Sequence, residues 1–176
     1  ERTHVRVTNQ LFPHGFVIPM STEMTITQWH VPVDDENCYW YAIFTSYTTP
    51  VDKKKMRDQR LELYELPDYK SRKNKSNDYG FDPHEQATET YTGMGTDINV
   101  HDQWAVESMG AIQDRTKENL CSTDNGIIMM RRMLLKAGRD NREGKPLPGI
   151  KPDSQRVRSC AIELPKDVKF TDGAKD

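Results

Sequence analysis

The chain has 176 residues, of which 35% are hydrophobic and 30% charged, with a formal net charge of -2. That length fits one domain over residues 1–176, although the apolar share is lean for a body that must bury a full core, as in part of something larger. No apolar run approaches a membrane span or a signal-peptide core, and the two signs of charge are interspersed, so neither a membrane nor nucleic acid is expected as a partner.

Residues 4–11 (HVRVTNQL) alternate and are rich in β-branched side chains, which predicts a strand with one face to a core. Pro13 and Gly15 then break it. Residues 24–33 (MTITQWHVPV) and 38–48 (CYWYAIFTSYT) read as two further strands, joined by the turn-forming Asp34-Asp35-Glu36-Asn37 into an antiparallel hairpin. The second is the most apolar stretch of the chain and is expected at the centre of a sheet. Trp29, Tyr39, Trp40 and Tyr41 lie on these strands; they are candidates for lining a small-molecule cavity, against the simpler expectation of core aromatics.

From 50 to 82 the composition becomes charged, with Lys53-Lys54-Lys55 and the run from Lys70 to Asp78. A short helix fits its first part. The second carries too little apolar surface to offset its ordering entropy and reads as a mobile, solvated insertion.

Ser122 or Thr123 is placed to cap a final helix in which Ile127, Met130, Leu134 and Leu135 recur at helical spacing, and Gly138 stands where a left-handed C-terminal residue is expected. Met130 is a further cavity candidate beside its simpler use in packing. Residues 139–156, with Pro146, Pro148, Gly149 and Pro152, read as extended linker, and 157–164 (VRSCAIEL) as a terminal strand. Cys38, Cys121 and Cys160 are odd in number and far apart, which suits free thiols in a reducing cytoplasm, and none stands in a spacing that collects a cluster or zinc. Strands followed by helices, without a βαβ rhythm, predict an α+β domain on an antiparallel sheet.

The densest signal runs from 101 to 137: Asp102, Glu107, Asp114-Arg115, Glu118-Asn119-Leu120, Ser122-Thr123-Asp124 and Met129-Met130-Arg131-Arg132. In that order these residues resemble the C-terminal catalytic domain of Rieske non-haem iron oxygenases, nearest to the phthalate dioxygenase group that includes the oxygenase of lignin-derived biphenyl O-demethylation. Residues 30–35 (HVPVDD) and 144–159 (GKPLPGIKPDSQRVRS) also look like that family. The resemblance implies a helix-grip fold, an antiparallel sheet packed on a long helix, and a reaction that hydroxylates or O-demethylates an aromatic acid with dioxygen.

It also implies a mononuclear Fe(II), for which Asp102 is the expected carboxylate ligand because a glutamate follows five positions later, as in the family. Without the family, an Asp at a helix start reads as a cap. The two histidine ligands and the Rieske iron–sulfur cluster would lie upstream, in elements this sequence does not contain, so the segment alone is expected to be inactive. His4, His14, His30, His84 and His101 include no pair at close helical spacing, and His101 diverges from Asp102 by about 100° on a helix. A reductase, a ferredoxin-type electron donor and a homotrimer are the implied partners.

Arg131 and Arg132 suit either a substrate carboxylate or a polar helix face, and Asp114, Arg115 and Glu118 either a buried network or surface pairs. Two other functions fit the same residues: a metal-free helix-grip domain that binds a small molecule, with Asp102 only a cap, and an assembly domain that uses the loop from Lys70 to Asp78. Iron dependence separates the first from an oxygenase.

Overall fold

The computed structural model describes residues 1–149 and 157–169. It divides into two compact units, one formed by Glu1–Val51 with Glu118–Asp176 and the other by Asp52–Lys117. The class is mixed α+β, with antiparallel sheets and one long helix, as the sequence predicts and as a helix-grip fold allows. No described helix is long and apolar enough to cross a membrane.

The first unit holds two sheets. Strand β1 (Arg2–Val7) pairs with β8 (Cys160–Pro165), and β2 (Asn9–Leu11), β3 (Gly15–Pro19), β4 (Met24–Pro32) and β5 (Cys38–Ser46) form a four-stranded sheet in that order. The single strand expected over 4–11 is thus two, which part company at Thr8 to join different sheets. Strand β3 begins where the sequence suggests only a break. A side chain at Gly15 would meet Leu11 Cβ at 3.0 Å and the Trp29 ring at 3.1 Å, so glycine there permits close pairing of β2, β3 and β4 rather than ending a strand.

The hairpin of β4 and β5 is as expected, with Pro32 opposite Cys38 at the end of its ladder. Strand β5, however, lies at the edge of the sheet and not at its centre. Its apolar character belongs to an open face: Tyr39, Tyr41 and Ile43 are each more than half exposed. The buried residues of this unit lie instead on β2 to β4 and β8, at Leu11, Val17, Ile26 and Ala161, with Pro19 fully buried.

Asp34 Oδ1 ties the hairpin turn by accepting the backbone N–H groups of Glu36 at 2.8 Å and Asn37 at 2.7 Å. The bond from Glu36, then those from Asn37, hold this carboxyl below the usual carboxylate range. A carboxylate depressed by folding adds stability that is fully present above its unfolded pKa and is lost as the pH falls through the lower folded value. The amide protons of Glu36 and Asn37 should therefore lose protection in acid, and Asp34→Ala should show the same loss at neutral pH. Unchanged amide exchange in that variant would contradict the assignment.

Helix α4 (Asn125–Arg142) is the long helix of this unit. Ser122 and Thr123 do not cap it; they form a short 3-10 turn before it, closed by Asp124 Oδ2 accepting from Cys121 N at 2.8 Å. The helix also runs through Gly138, so residues 139–142 are helical rather than linker. It ends in a Schellman motif six residues later, where Gly144 takes φ +68°, its N–H donates to Asn141 O, and Lys145 N–H donates to Asp140 O at 2.8 Å. A glycine ends a helix where the chain needs a left-handed residue, and Gly138 is not at such a point. Of the expected linker, 150–156 lie outside the described residues.

The stripe expected on α4 is mostly exposed, Ile127, Leu134 and Leu135 included, while Ala137 is its buried residue. Met133, Ala137 and Asp140 face Pro146, Leu147 and Pro148, so the covered face is the one met by the returning loop. Near its start, the Arg131 guanidinium donates to both carboxylate oxygens of Glu118, at 2.7 and 2.9 Å.

The second unit carries regular structure through the stretch read as a charged insertion. Helix α1 (Lys53–Leu63) is capped by Asp52, which accepts from Lys55 N at 3.0 Å, and it leads into a hairpin of β6 (Tyr64–Glu65) and β7 (Lys70–Ser71). A 3-10 segment (Lys75–Gly80), α2 (Pro83–Thr88) and α3 (Ile98–Glu107) follow. Tyr79, Met94 and Val100 make the core, with Leu63 against it. The polar run from 70 to 78 is tied by its own side chains: Asn74 and Asn77 form a reciprocal capping box, and Lys73 Nζ donates to Met94 O at 2.8 Å. Hydrogen bonds from asparagines and lysine supply order that composition-based reasoning assigns to apolar area.

Candidate functional site

Asp102 lies in the middle of α3 rather than at its start. The cap is Asp97, whose Oδ1 accepts from Asn99 N at 2.8 Å and whose Oδ2 pairs with Arg60. Asp97→Ala should therefore cost about 1 kcal/mol for the cap. It would also strip the partner from the Arg60 Nη2 group of a half-buried guanidinium whose Nε already lacks a hydrogen bond among the described residues, for a total near 2 kcal/mol. Urea unfolding checks this, with Asp97→Asn expected to recover the cap and not the charge.

At about 100° per residue, Val100 and Glu107 fall within about 20° of each other on α3, and Asp102 lies about 160° away. The contacts of Val100 and Glu107 are on the first side, and that of His101 lies midway between the two. Val100 is 3% exposed, and the buried Tyr79 donates its hydroxyl proton to Glu107 Oε2 at 2.6 Å. His101 Nε2 lies 2.9 Å from Gly95 O; a carbonyl can only accept, so this nitrogen carries the proton.

The outward side is different in kind. Asp102 is exposed, and its neighbours one turn away are Ile98, Asn99, Ala105 and Val106, with Ile98 66% and Val106 63% exposed. A single carboxylate thus stands on a largely apolar, open helix face. Helical aspartate is unfavourable relative to alanine by several tenths of a kcal/mol, and Asp102 has no cap to offset that. Asp102 and Glu107, matched by their spacing of five, point about 140° apart. Glu107, itself exposed, takes the hydrogen bond of the buried Tyr79, while Asp102 points away from that contact.

Among the described residues no three of His, Cys, Asp and Glu are grouped so as to hold a metal ion. Fe(II) in a non-haem site needs two imidazoles and a carboxylate. This chain's residues offer the carboxylate and do not by themselves fit the whole set. The thiols of Cys38 and Cys121 are exposed and that of Cys160 half-buried, without a grouping that would hold an iron–sulfur cluster.

The aromatic candidates divide between the two faces of their sheet. Tyr39 and Tyr41 share one face, their rings 6.1 Å apart, and Trp29 is the cross-strand partner of Tyr41. Trp40 points to the other face, stacked on His30 at 5.7 Å, with Phe16 edge-on to His30. The period of two along a strand forbids all four from lining one cavity. Met130 is half-buried on α4.

A cavity of about 300 Å³ does exist within the second unit, lined by Arg60, Leu63, Lys73, Met94, Asp97 and Val100 among others. Asp102 faces away from it. Arg131 is committed to Glu118, and Asp114 accepts from Thr116 Oγ1 at 2.6 Å, the bond that chiefly lowers its carboxyl below the usual range. Arg131 is not free to hold a substrate carboxylate without breaking its bonds to Glu118.

Tyr79 is the residue that sequence reasoning passes over. It is 4% exposed and sits in a turn where Asp78, Tyr79 and Gly80 take φ +50°, +56° and +66° in succession. Two non-glycine residues in that region cost on the order of 1–3 kcal/mol each and persist only where the surroundings over-determine them. Burial, and then the bond to Glu107, push the Tyr79 hydroxyl up to about 12, so it remains a donor throughout the physiological range. A lone aromatic among turn-forming Asn74, Asn77 and Gly80 is the signal that points to it.

One family model, described as LigXa C-terminal domain like, matches residues 1–168. No curated protein is similar enough to this chain to count as a match.

Proposed function

The chain belongs to the LigXa C-terminal domain-like family, a Rieske-oxygenase type of catalytic domain, and from that premise we propose that it is the C-terminal catalytic portion of an oxygenase that hydroxylates or O-demethylates an aromatic acid. Dioxygen and reducing equivalents are the co-substrates. A reductase and a ferredoxin-type protein deliver the electrons, the complete protein is a cytoplasmic homotrimer, and an N-terminal domain carries the Rieske cluster.

The observation that carries this reading is the carboxylate of Asp102 on a largely apolar face of α3, where Asn99 is the other polar neighbour. When such a face is covered, a charged carboxylate among Ile98, Ala105 and Val106 is costly unless a cation lies beside it. Fe(II), when bound, supplies the activation of dioxygen. The role of this chain's own residues is to present one hard oxygen donor from a helix whose opposite side is held by Val100 and Glu107 and whose flank is held by His101.

Two measurements on the full-length gene product test this: its iron content, and its dioxygen uptake with a panel of aromatic acids and a reductase. Iron-dependent uptake coupled to hydroxylated or demethylated product is expected. An iron-free protein that binds such acids without consuming dioxygen would replace this reading with that of a ligand-binding helix-grip domain.

A further inference from the structure

We propose that Tyr79 is a positioning residue, whose hydroxyl, gripping Glu107, sets the rotation of α3 and so keeps Asp102 on the outward face. The importance of that face rests on the reading of Asp102 given above, whereas the grip itself does not.

Three observations meet here. First, the backbone is bent at a cost to bring Tyr79 inward, through consecutive left-handed residues of which two are not glycine. The bend is braced from the residues that precede it: Tyr79 N–H donates to Asn74 O at 2.9 Å, Asn77 Nδ2 donates to Arg72 O at 2.6 Å, and Asn74 Nδ2 donates to Ser71 O at 2.9 Å. Aspartate tolerates the left-handed region, but an aromatic residue such as Tyr79 is rarely found there without a contact that holds it.

Second, the hydroxyl meets the last residue of α3. Both Glu107 oxygens are engaged, Oε2 by Tyr79 at 2.6 Å and Oε1 by Gln103 Nε2 at 3.0 Å from one turn earlier in the same helix. The bond therefore fixes the carboxylate and, through Gln103, the last turn of the helix.

Third, the other anchors lie near the start and middle of α3, at Asp97, Val100 and His101. Without Tyr79 the C-terminal half has no fixed point among the contacts described here, and Asp102 stands at the junction between the held half and the loose one. A carboxylate displaced by about 1 Å from its productive place is enough to lose a large part of turnover.

The test uses the full-length protein with Tyr79→Phe, Glu107→Ala, Glu107→Gln and the Tyr79→Phe/Glu107→Ala double variant. Hydrogen exchange of the amides from Gln103 to Ser108 reads the grip directly. It should quicken about tenfold in Tyr79→Phe and in Glu107→Ala, no further in the double variant, and far less in Glu107→Gln, whose amide oxygen can still accept. Turnover should fall in the same order with the KM for the aromatic acid unchanged and the melting temperature little moved.

Unaltered exchange in Tyr79→Phe would overturn the inference whatever the activity does. So would a turnover loss that merely follows the melting temperature, or losses that multiply in the double variant. A protein with the expected exchange pattern but no oxygenase activity in its wild-type form would leave the grip standing and remove the functional reading.

Discussion

Asp102→Ala should leave the full-length oxygenase folded, strip it of mononuclear iron, and reduce turnover by at least about 100-fold, more than the loss of an outer-shell partner typically costs. The two halves of this expectation come from separate observations. Asp102 is exposed, caps nothing, and belongs to a helix that alanine favours, so its removal should raise the stability of α3 by a few tenths of a kcal/mol. A side chain that costs stability where it stands and yet forms the sole charge on its face is suited to a ligand's work. Metal analysis beside a thermal melt decides the matter: iron at the wild-type level would sink the assignment of Asp102, and a lowered melting temperature would mean that the residue holds the fold. Asp102→Asn, which keeps the volume and loses the charge, should behave like the alanine variant in iron and like wild type in stability.

Glu118→Ala is expected to be the most destabilising single change at any polar residue described here, by about 2–3 kcal/mol. Its carboxylate is 13% exposed and meets both terminal guanidinium nitrogens of Arg131, itself 29% exposed. Exposed pairs contribute little because water competes for both charges, but this one is largely withdrawn from water, and its bidentate geometry loses little to side-chain freedom. Deleting the carboxylate leaves the guanidinium half-buried beside α4 and without that partner. The loss falls short of the 3–5 kcal/mol of a wholly buried pair because Arg131 can still turn partly towards solvent. Urea unfolding should show the difference, and adding Arg131→Met should restore much of it. A loss below about 0.5 kcal/mol would place the pair with ordinary surface salt bridges.

Much of the fold was legible in the residues. Alternation marked 24–33 and 38–48 as strands, Asp34 to Asn37 marked their turn, and the apolar recurrence after Asp124 marked α4, because these are short-range effects of side-chain period and turn chemistry. What was misread was decided by neighbours distant in the chain. Strand β5 reads as central from its composition, yet its place at the edge depends on which strands pair. Gly15 reads as a breaker until Leu11 and Trp29 are seen to crowd it. Asp102 reads as the opening of a helix because Asp97, five residues earlier, can cap just as well and also finds Arg60, 37 residues away.

The sequence by itself determined the α+β class, the hairpin, the long helix, the singling out of Asp102 and the resemblance of its surroundings to a family of oxygenases, since each rests on local pattern or on residues in order. Only the tertiary structure decided that Asp102 faces outward with Ile98 and Val106, that Glu107 meets the buried Tyr79, and that Trp29 joins the face of Tyr39 and Tyr41 while His30 joins that of Trp40. The physical reason is that spacing along a chain sets relative angles about a helix or strand, whereas which of those angles meets a core is fixed by what packs against it.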